Sequence, residues 1–283
     1  MLKLLSKFGK LDRRLVFALL IATILIPLLF SVKSHFYVDA ATKGLYDYID
    51  NIEPNGRPLL LSFDYDPQVA AELDPMARAV LRHCFAKGIK VIGMSLQPQG
   101  DAIGEGIITQ VSREFGKKPG IDYTYFDFRP GGYIIMLQMG TSVKQALPLD
   151  YYQVPYDSLP MMHNIHNYGD IAMVLSLAGS TWPYSWIIFA GTKFKVKIGA
   201  GQTAVMAPDN YPFLQTGQLV GQLGGMKGGA EYEQLIVEAG YYKKPGVASK
   251  AMSAIAYSHI LIILLIVLGN IGYFVSRQLE GSK

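Results

Sequence analysis

The chain has 283 residues, 50% of them hydrophobic and only 17% charged, against about 25% charged in ordinary soluble domains. That composition excludes a disordered or collagen-like chain, and a lone cysteine excludes an internal disulfide and any cysteine-rich zinc site. The formal charge of +4 belongs to the two ends: Lys3, Lys7, Lys10, Arg13 and Arg14 outweigh Asp12 at the start, and Arg277 and Lys283 outweigh Glu280 at the finish. What lies between is close to neutral and offers no electrostatic footprint for a nucleic-acid backbone, so no nucleic-acid partner is expected.

In chain order, the first feature is LVFALLIATILIPLLF, Leu15 to Phe30, which carries no charge; Ser31 and Val32 extend it. At about 18 residues it is just long enough to span a bilayer. The basic residues before it put the N-terminus in the cytoplasm by the positive-inside rule. A cleaved signal peptide is the competing reading, because Val38 and Ala40 suit a small-residue cleavage site; the apolar run exceeds the roughly 7–15 residues of a signal core, which favours an uncleaved anchor. A second uncharged run, Ala254 to Val275, would extend about 33 Å as a helix and also fits the hydrocarbon thickness. The sequence thus predicts a two-pass protein of a bacterial-type inner or cell membrane, with a basic N-terminus (1–14), spans at 15–32 and 254–275, and a cytoplasmic tail (276–283). Residues 33–253 then lie outside the cytoplasm, although Lys243, Lys244 and Lys250 beside the second span pull the other way.

The stretch between the spans alternates strand and helix signals. Arg57 to Phe63 is a short apolar run ended by Asp64-Tyr65-Asp66-Pro67, which suits a buried strand. Asp74-Pro75 predicts a helix start, with Met76, Val80, Cys84 and Phe85 at helical spacing up to Gly88. Lys90 to Leu96 predicts a strand, Ala102 to Phe115 a helix, Tyr123 to Phe128 a strand, and Tyr133 to Met139 either a hairpin strand or a buried helix. After a connection rich in Pro and Tyr come a strand at Ile171 to Leu177, a helix at Trp182 to Ala190 and a short strand at Val196 to Ile198. The predicted fold class is α/β: a doubly wound, mostly parallel sheet flanked by an N-terminal and a C-terminal transmembrane helix.

In such a sheet ligands bind beyond the carboxyl ends of the strands, so the loops there carry the candidate chemistry. Asp64 and Asp66 could hold a hard cation or a polar substrate, but Asp-x-Asp-Pro is also ordinary turn chemistry. Asp101 is a further candidate, as are Gln97, Gln99, Ser180, Thr181, Gln202 and Thr203 as polar loop residues. Gly100, Gly104 and Gly106 match neither the dinucleotide fingerprint nor the P-loop. Cys84 falls on the apolar face of its helix and reads as core. His163 and His166 have the spacing of one helical turn but no third ligand nearby. No cofactor and no metal is called for.

The most specific pattern is Gly217, Gly221, Gly225 and Gly229, each four residues apart within Tyr211 to Ile236. On one helix they would form a bare groove for close helix packing against a membrane helix or a second copy. A glycine-rich loop, or a helix packed tightly on its own sheet, explains the same residues. The first functional expectation is therefore a non-catalytic, membrane-anchored domain serving as a structural or assembly subunit of a larger membrane complex, its partners being the lipid bilayer and other subunits or a second copy. The alternatives are a membrane-tethered hydrolase, and an extracytoplasmic ligand-binding or sensor subunit, both using the strand-end crevice.

Overall fold

The computed structural model describes residues 12–30 and 35–281. Lys3, Lys7, Lys10, Ser31, Val32 and Lys283, on which part of the membrane reading rests, lie outside the described residues. The elements are α1 (Arg13–Leu29), α2 (Ala40–Asp50), β1 (Leu59–Asp64), α3 (Ala70–Lys87), β2 (Val91–Met94), α4 (Pro98–Glu114), β3 (Tyr123–Phe126), α5 (Tyr133–Met139), α6 (Val143–Ala146), β4 (Met173–Ala178), α7 (Trp182–Trp186) continued by a π-helical turn (Ile187–Thr192), β5 (Ile198–Gln202), α8 (Tyr211–Gln215), β6 (Leu219–Gly224), α9 (Gly225–Glu238) and α10 (Val247–Gly281). They fall into two units, Met1–Ser34 with Lys250–Lys283, and His35–Ser249.

The second unit is built on six parallel strands in the order β3-β2-β1-β4-β5-β6, a Rossmann-like arrangement. A parallel sheet is covered on both faces, which is why its strands read as continuous apolar runs. Alternation of side chains sends Leu59, Leu61 and Phe63 of β1 into one core with α2, α3 and α9, and Leu60 into the other with α5, α7 and the π turn. Gly88 ends α3 in the left-handed conformation (φ 76°), where a Cβ would be strained.

Two helix starts differ from expectation, and the last expected strand, Val196 to Ile198, is instead Ile198–Gln202. α3 starts at Ala70, one turn before Asp74. Asp74 is not its cap; it accepts a hydrogen bond from the Tyr65 hydroxyl at 2.8 Å, and Pro75 sits inside the helix while Leu73, Met76, Ala77 and Val80 around it are buried. α4 starts at Pro98, where proline at the first helical position needs no donor. Tyr133–Met139 is the buried-helix alternative, not a hairpin strand.

The glycine pattern is also corrected, because the chain there forms a strand and a helix rather than one helix. Gly217 occupies a turn at φ 71°, Gly221 lies in β6, Gly225 opens α9 at φ 58°, and only Gly229 is in the interior of α9. They share no helical face. Gly221 instead lets α2 rest on β6: a Cβ there would come 2.2 Å from the Leu45 amide nitrogen and 2.5 Å from the Ala41 carbonyl oxygen. Gly44 of α2 faces β6 the same way, 2.8 Å from the Val220 carbonyl oxygen.

Val247–Gln278 forms a helix of 32 residues, most of it in the first unit, that contains an 18-residue window of mean hydropathy 2.4 and is long and apolar enough to cross a membrane. It is the one helix of that kind among the described residues. α1 is shorter, at 17 residues, and its Leu15, Phe17, Ile21 and Leu29 are exposed. Thr23 of α1 and Ser258 of α10 bring their hydroxyls within 3.3 Å.

Two glycines separate space from propensity. Gly221→Ala forces backbone apart and is expected to destabilise by about 1–3 kcal/mol or more, whereas Gly106→Ala, which has nothing within 4 Å of its Cβ position in α4, is expected to stabilise by about 0.5–1 kcal/mol. Thermal unfolding of the full chain in detergent reads both; equal effects of one sign would contradict the α2–β6 contact.

Candidate functional site

The strand order reverses between β1 and β4, and a ligand crevice belongs at their carboxyl ends. Here that point is filled. Asp64, the last residue of β1, is fully buried. Its Oδ1 accepts from Ser62 Oγ at 2.8 Å and from the Leu96 amide at 2.9 Å; its Oδ2 accepts from Ser176 Oγ and from Trp186 Nε1, each at 3.1 Å. Burial raises its pKa, and the four donors work against that rise by favouring the carboxylate. Val69 closes the space above β4, where a Cβ on Gly179 would meet it at 3.0 Å. Asp64 is thus sequestered, not presented to solvent. Asp66 takes the Gln68 amide at 2.9 Å, the self-bonded turn foreseen for Asp-x-Asp-Pro.

Asp101 has a different setting. It stands in the first turn of α4 beside Asp127, which follows β3, and burial, then the hydrogen bond and repulsion from Asp127, push its pKa up to about 6. Its Oδ1 is buried without a partner, as is the hydroxyl of Tyr125. Glu105, one turn on, accepts from Tyr152 at 2.5 Å and from Thr109 at 2.7 Å. A carboxyl raised to about 6 beside a second carboxyl is suited to exchange protons near neutral pH. Asp127 carries no local sequence signal; only the β2–β3 pairing brings it to Asp101.

The remaining candidates disperse. Gln202 is consumed by Ser180 and Asn210. Cys84 is buried and its thiol is pushed up to about 12 by that burial, so it is not a nucleophile. His163 bonds the Asp157 carbonyl at 3.0 Å while His166 is exposed, and among the described residues no group of three or more His, Cys, Asp or Glu is placed to hold a metal ion.

Two clusters escape sequence reading altogether. The first joins α2, α3 and α9: His83 is buried, with Nδ1 2.8 Å from the Tyr232 hydroxyl and Nε2 3.1 Å from Asp50 Oδ1, and its ring stacks on Tyr46. Tyr241 donates to the same Asp50 oxygen at 2.8 Å. Burial pushes His83 down to about 4, while Asp50 pulls the other way. Burial also acts to raise Asp50, but hydrogen bonds from Tyr241 and His83 and the charge of Lys87 outweigh it and hold the carboxyl below its usual value. With His83 and Tyr232 buried and Asp50 and Tyr241 partly exposed, this acid–histidine–tyrosine array ties three helices together.

The second is a cavity of about 240 Å³ at the carboxyl ends of β5 and β6, between the N-termini of α2 and α9, lined by residues including Asp39, Thr42, Tyr211, Gln222, Lys227 and Glu231. Glu231 is buried; one oxygen bonds Lys227 and the other accepts the Asp39 amide at 3.1 Å. Gln222 donates through Nε2 to the Ala207 carbonyl at 3.1 Å, and its Oε1 has no partner.

Two outcomes follow from these environments. Asp64→Asn turns an NH₂ toward donors on one side, and should cost about 3–5 kcal/mol, as breaking a buried hydrogen-bonded charge does, with a lowered Tm and altered Trp186 emission; an unchanged Tm would mean that Asp64 is free. For His83 the unfolded chain takes up a proton near pH 6.5 and the native chain only near 4. Stability is therefore full above pH 6.5 and falls by up to about 3 kcal/mol between 6.5 and 4. Tm measured across that range should drop, with a shallower slope in His83→Gln; a flat wild-type profile would contradict the burial of a neutral imidazole.

Comparison with known proteins adds no assignment to this geometry: no family model, no curated protein and no solved structure matches the chain.

Proposed function

We propose that the chain is a two-pass membrane protein whose α/β domain is held outside the cytoplasm and acts, without turnover, as an assembly subunit of a larger membrane complex. The observation that carries this reading is an apolar surface on the α5 side of the sheet. Tyr133 and Ile134 of α5 are 53% and 57% exposed, and Ile188 of the π turn is exposed as well. Tyr133 is held rigid by stacking on Phe189, ring centres 5.1 Å apart. An open groove beside it is lined by Ile134, Leu137 and Phe194, with Lys193 at its edge. Rigid aromatic and aliphatic anchors with a polar rim are the usual make-up of a protein-binding surface. The membrane part of the reading is supported by the length and hydropathy of α10, by the apolar surface of α1 and by the hydroxyl contact between Thr23 and Ser258. The filled switch point at Asp64 supports a binding role over catalysis there.

A second reading, a membrane-tethered hydrolase, is favoured by one observation, the placing of Asp101, with its raised proton affinity, beside the carboxyl of Asp127. It would use one carboxyl as acid and the other as base.

Affinity purification of the tagged full chain from native membranes in mild detergent, followed by sizing and mass spectrometry, tests the first reading. A stoichiometric assembly is expected, and Ile134→Asp should reduce partner recovery at least tenfold while leaving the Tm within a few degrees of wild type. A wild-type chain that is strictly monomeric, or an Ile134→Asp variant that recovers its partners in full, would contradict it.

A further inference from the structure

We propose that the cavity between α2 and α9 is a binding site for a small zwitterion of the α-amino acid class. This goes beyond the assembly role and stands or falls separately from it. The argument begins at the β6–α9 junction. α9 runs 14 residues from Gly225; its N-cap is Gly224, which has no side chain to accept from the first-turn amides, and no acidic residue occupies that turn. Helix N-termini carry unsatisfied N–H groups and about half a positive charge, so this end is open to a carboxylate.

Gln222 supplies the complementary half. It is only 3% exposed, lines the cavity, and leaves Oε1 unpaired. The Ala207 carbonyl accepts its Nε2, so the amide cannot turn round without setting oxygen against oxygen; the free atom is an acceptor. An unmet buried acceptor costs about 1–3 kcal/mol, which a ligand donor recovers. The cavity therefore asks for an acceptor group at α9 and a donor group at Gln222, a short distance apart along the chain.

Charge narrows the class. Among the lining side chains Asp39 and Glu231 are acidic and Lys227 is basic. Lys227 pairs with Glu231 and leaves its own side chain 51% exposed. Asp39 is occupied in capping α2, taking the Ala41 amide at 3.2 Å. A dianion would meet these two carboxylates, and a simple cation would meet two helix N-termini. A molecule with a negative and a positive end suits both. At about 240 Å³ the site is below the roughly 300–1,000 Å³ of drug-sized pockets, so the molecule is small.

The test is thermal shift and calorimetric titration of the purified full chain in detergent with each of the twenty L-amino acids, and with acetate, inorganic phosphate and methylamine as probes of one end only. Expected is saturable binding of one or a few amino acids that raises the Tm, with each single-ended probe at least tenfold weaker. Two variants read the two halves. Gly224→Asp places a capping carboxylate on α9 and should weaken binding at least tenfold; Gly224 already has extended backbone (φ −104°, ψ 113°), its new Cβ would press on the Ala207 Cβ at 3.1 Å, and circular dichroism with the Tm verifies that the variant is folded. Gln222→Met should weaken it by a similar factor. Absence of binding by every amino acid at millimolar concentration, acetate or phosphate binding as tightly as any amino acid, or a folded Gly224→Asp variant binding like wild type would each overturn the proposal.

Discussion

A single buried carboxylate holds the middle of this domain together. Asp64 ends β1 and accepts hydrogen bonds from β1 itself, from the segment after β2, from β4 and from Trp186 of α7. Removing a charge from water is costly unless it is fully hydrogen-bonded, and here all four donors come from buried groups. The result is that β1, β2 and β4 are locked in register at the place where a parallel sheet of this order would otherwise open into a ligand crevice. The most conspicuous aspartate in the sequence is thus an architectural residue.

With the switch point filled, what the domain offers lies away from it. On one side the α5 and π-turn surface presents rigid apolar side chains to the outside. At the β5–β6 edge the uncapped end of α9 and Gln222, whose buried oxygen is unpaired, line a small cavity. At the start of α4, Asp101 beside Asp127 holds its proton to higher pH than an isolated carboxyl does. The His83 array joins α2, α3 and α9 around a buried imidazole, and it contributes stability at neutral pH.

The fold was largely legible because buried parallel strands are written as short apolar runs bounded by turn residues: Leu59 to Asp64, Val91 to Met94 and Met173 to Ala178 all show it. Gly88 marked the end of α3 for a local steric reason. β6 was not legible, because LVGQLG trades side chains for glycines so that α2 can lie on the strand, and the regular glycine spacing imitated a helical face. The N-terminal end of α3 was misplaced because Asp74-Pro75 carries a start signal that tertiary packing overrides. The sites were less legible still. Asp64 meets Trp186 across 122 residues, and His83 meets Tyr232 across 149, so neither pairing leaves a local pattern. Gln222 lay inside the stretch that imitated a helical face and carried no signal of its own; only the Ala207 carbonyl makes its oxygen the free end.

Hydrogen–deuterium exchange at the Leu96 amide, the backbone donor to Asp64, tests most directly whether the middle of the sheet is closed. If Asp64 is the sealed tie described above, that amide should exchange only through global unfolding, among the slowest in the domain and as slow as the central amides of β1 and β4. Exchange of Leu96 on the timescale of surface loops, with β1 and β4 still protected, would show an open crevice at the switch point and contradict the closed architecture.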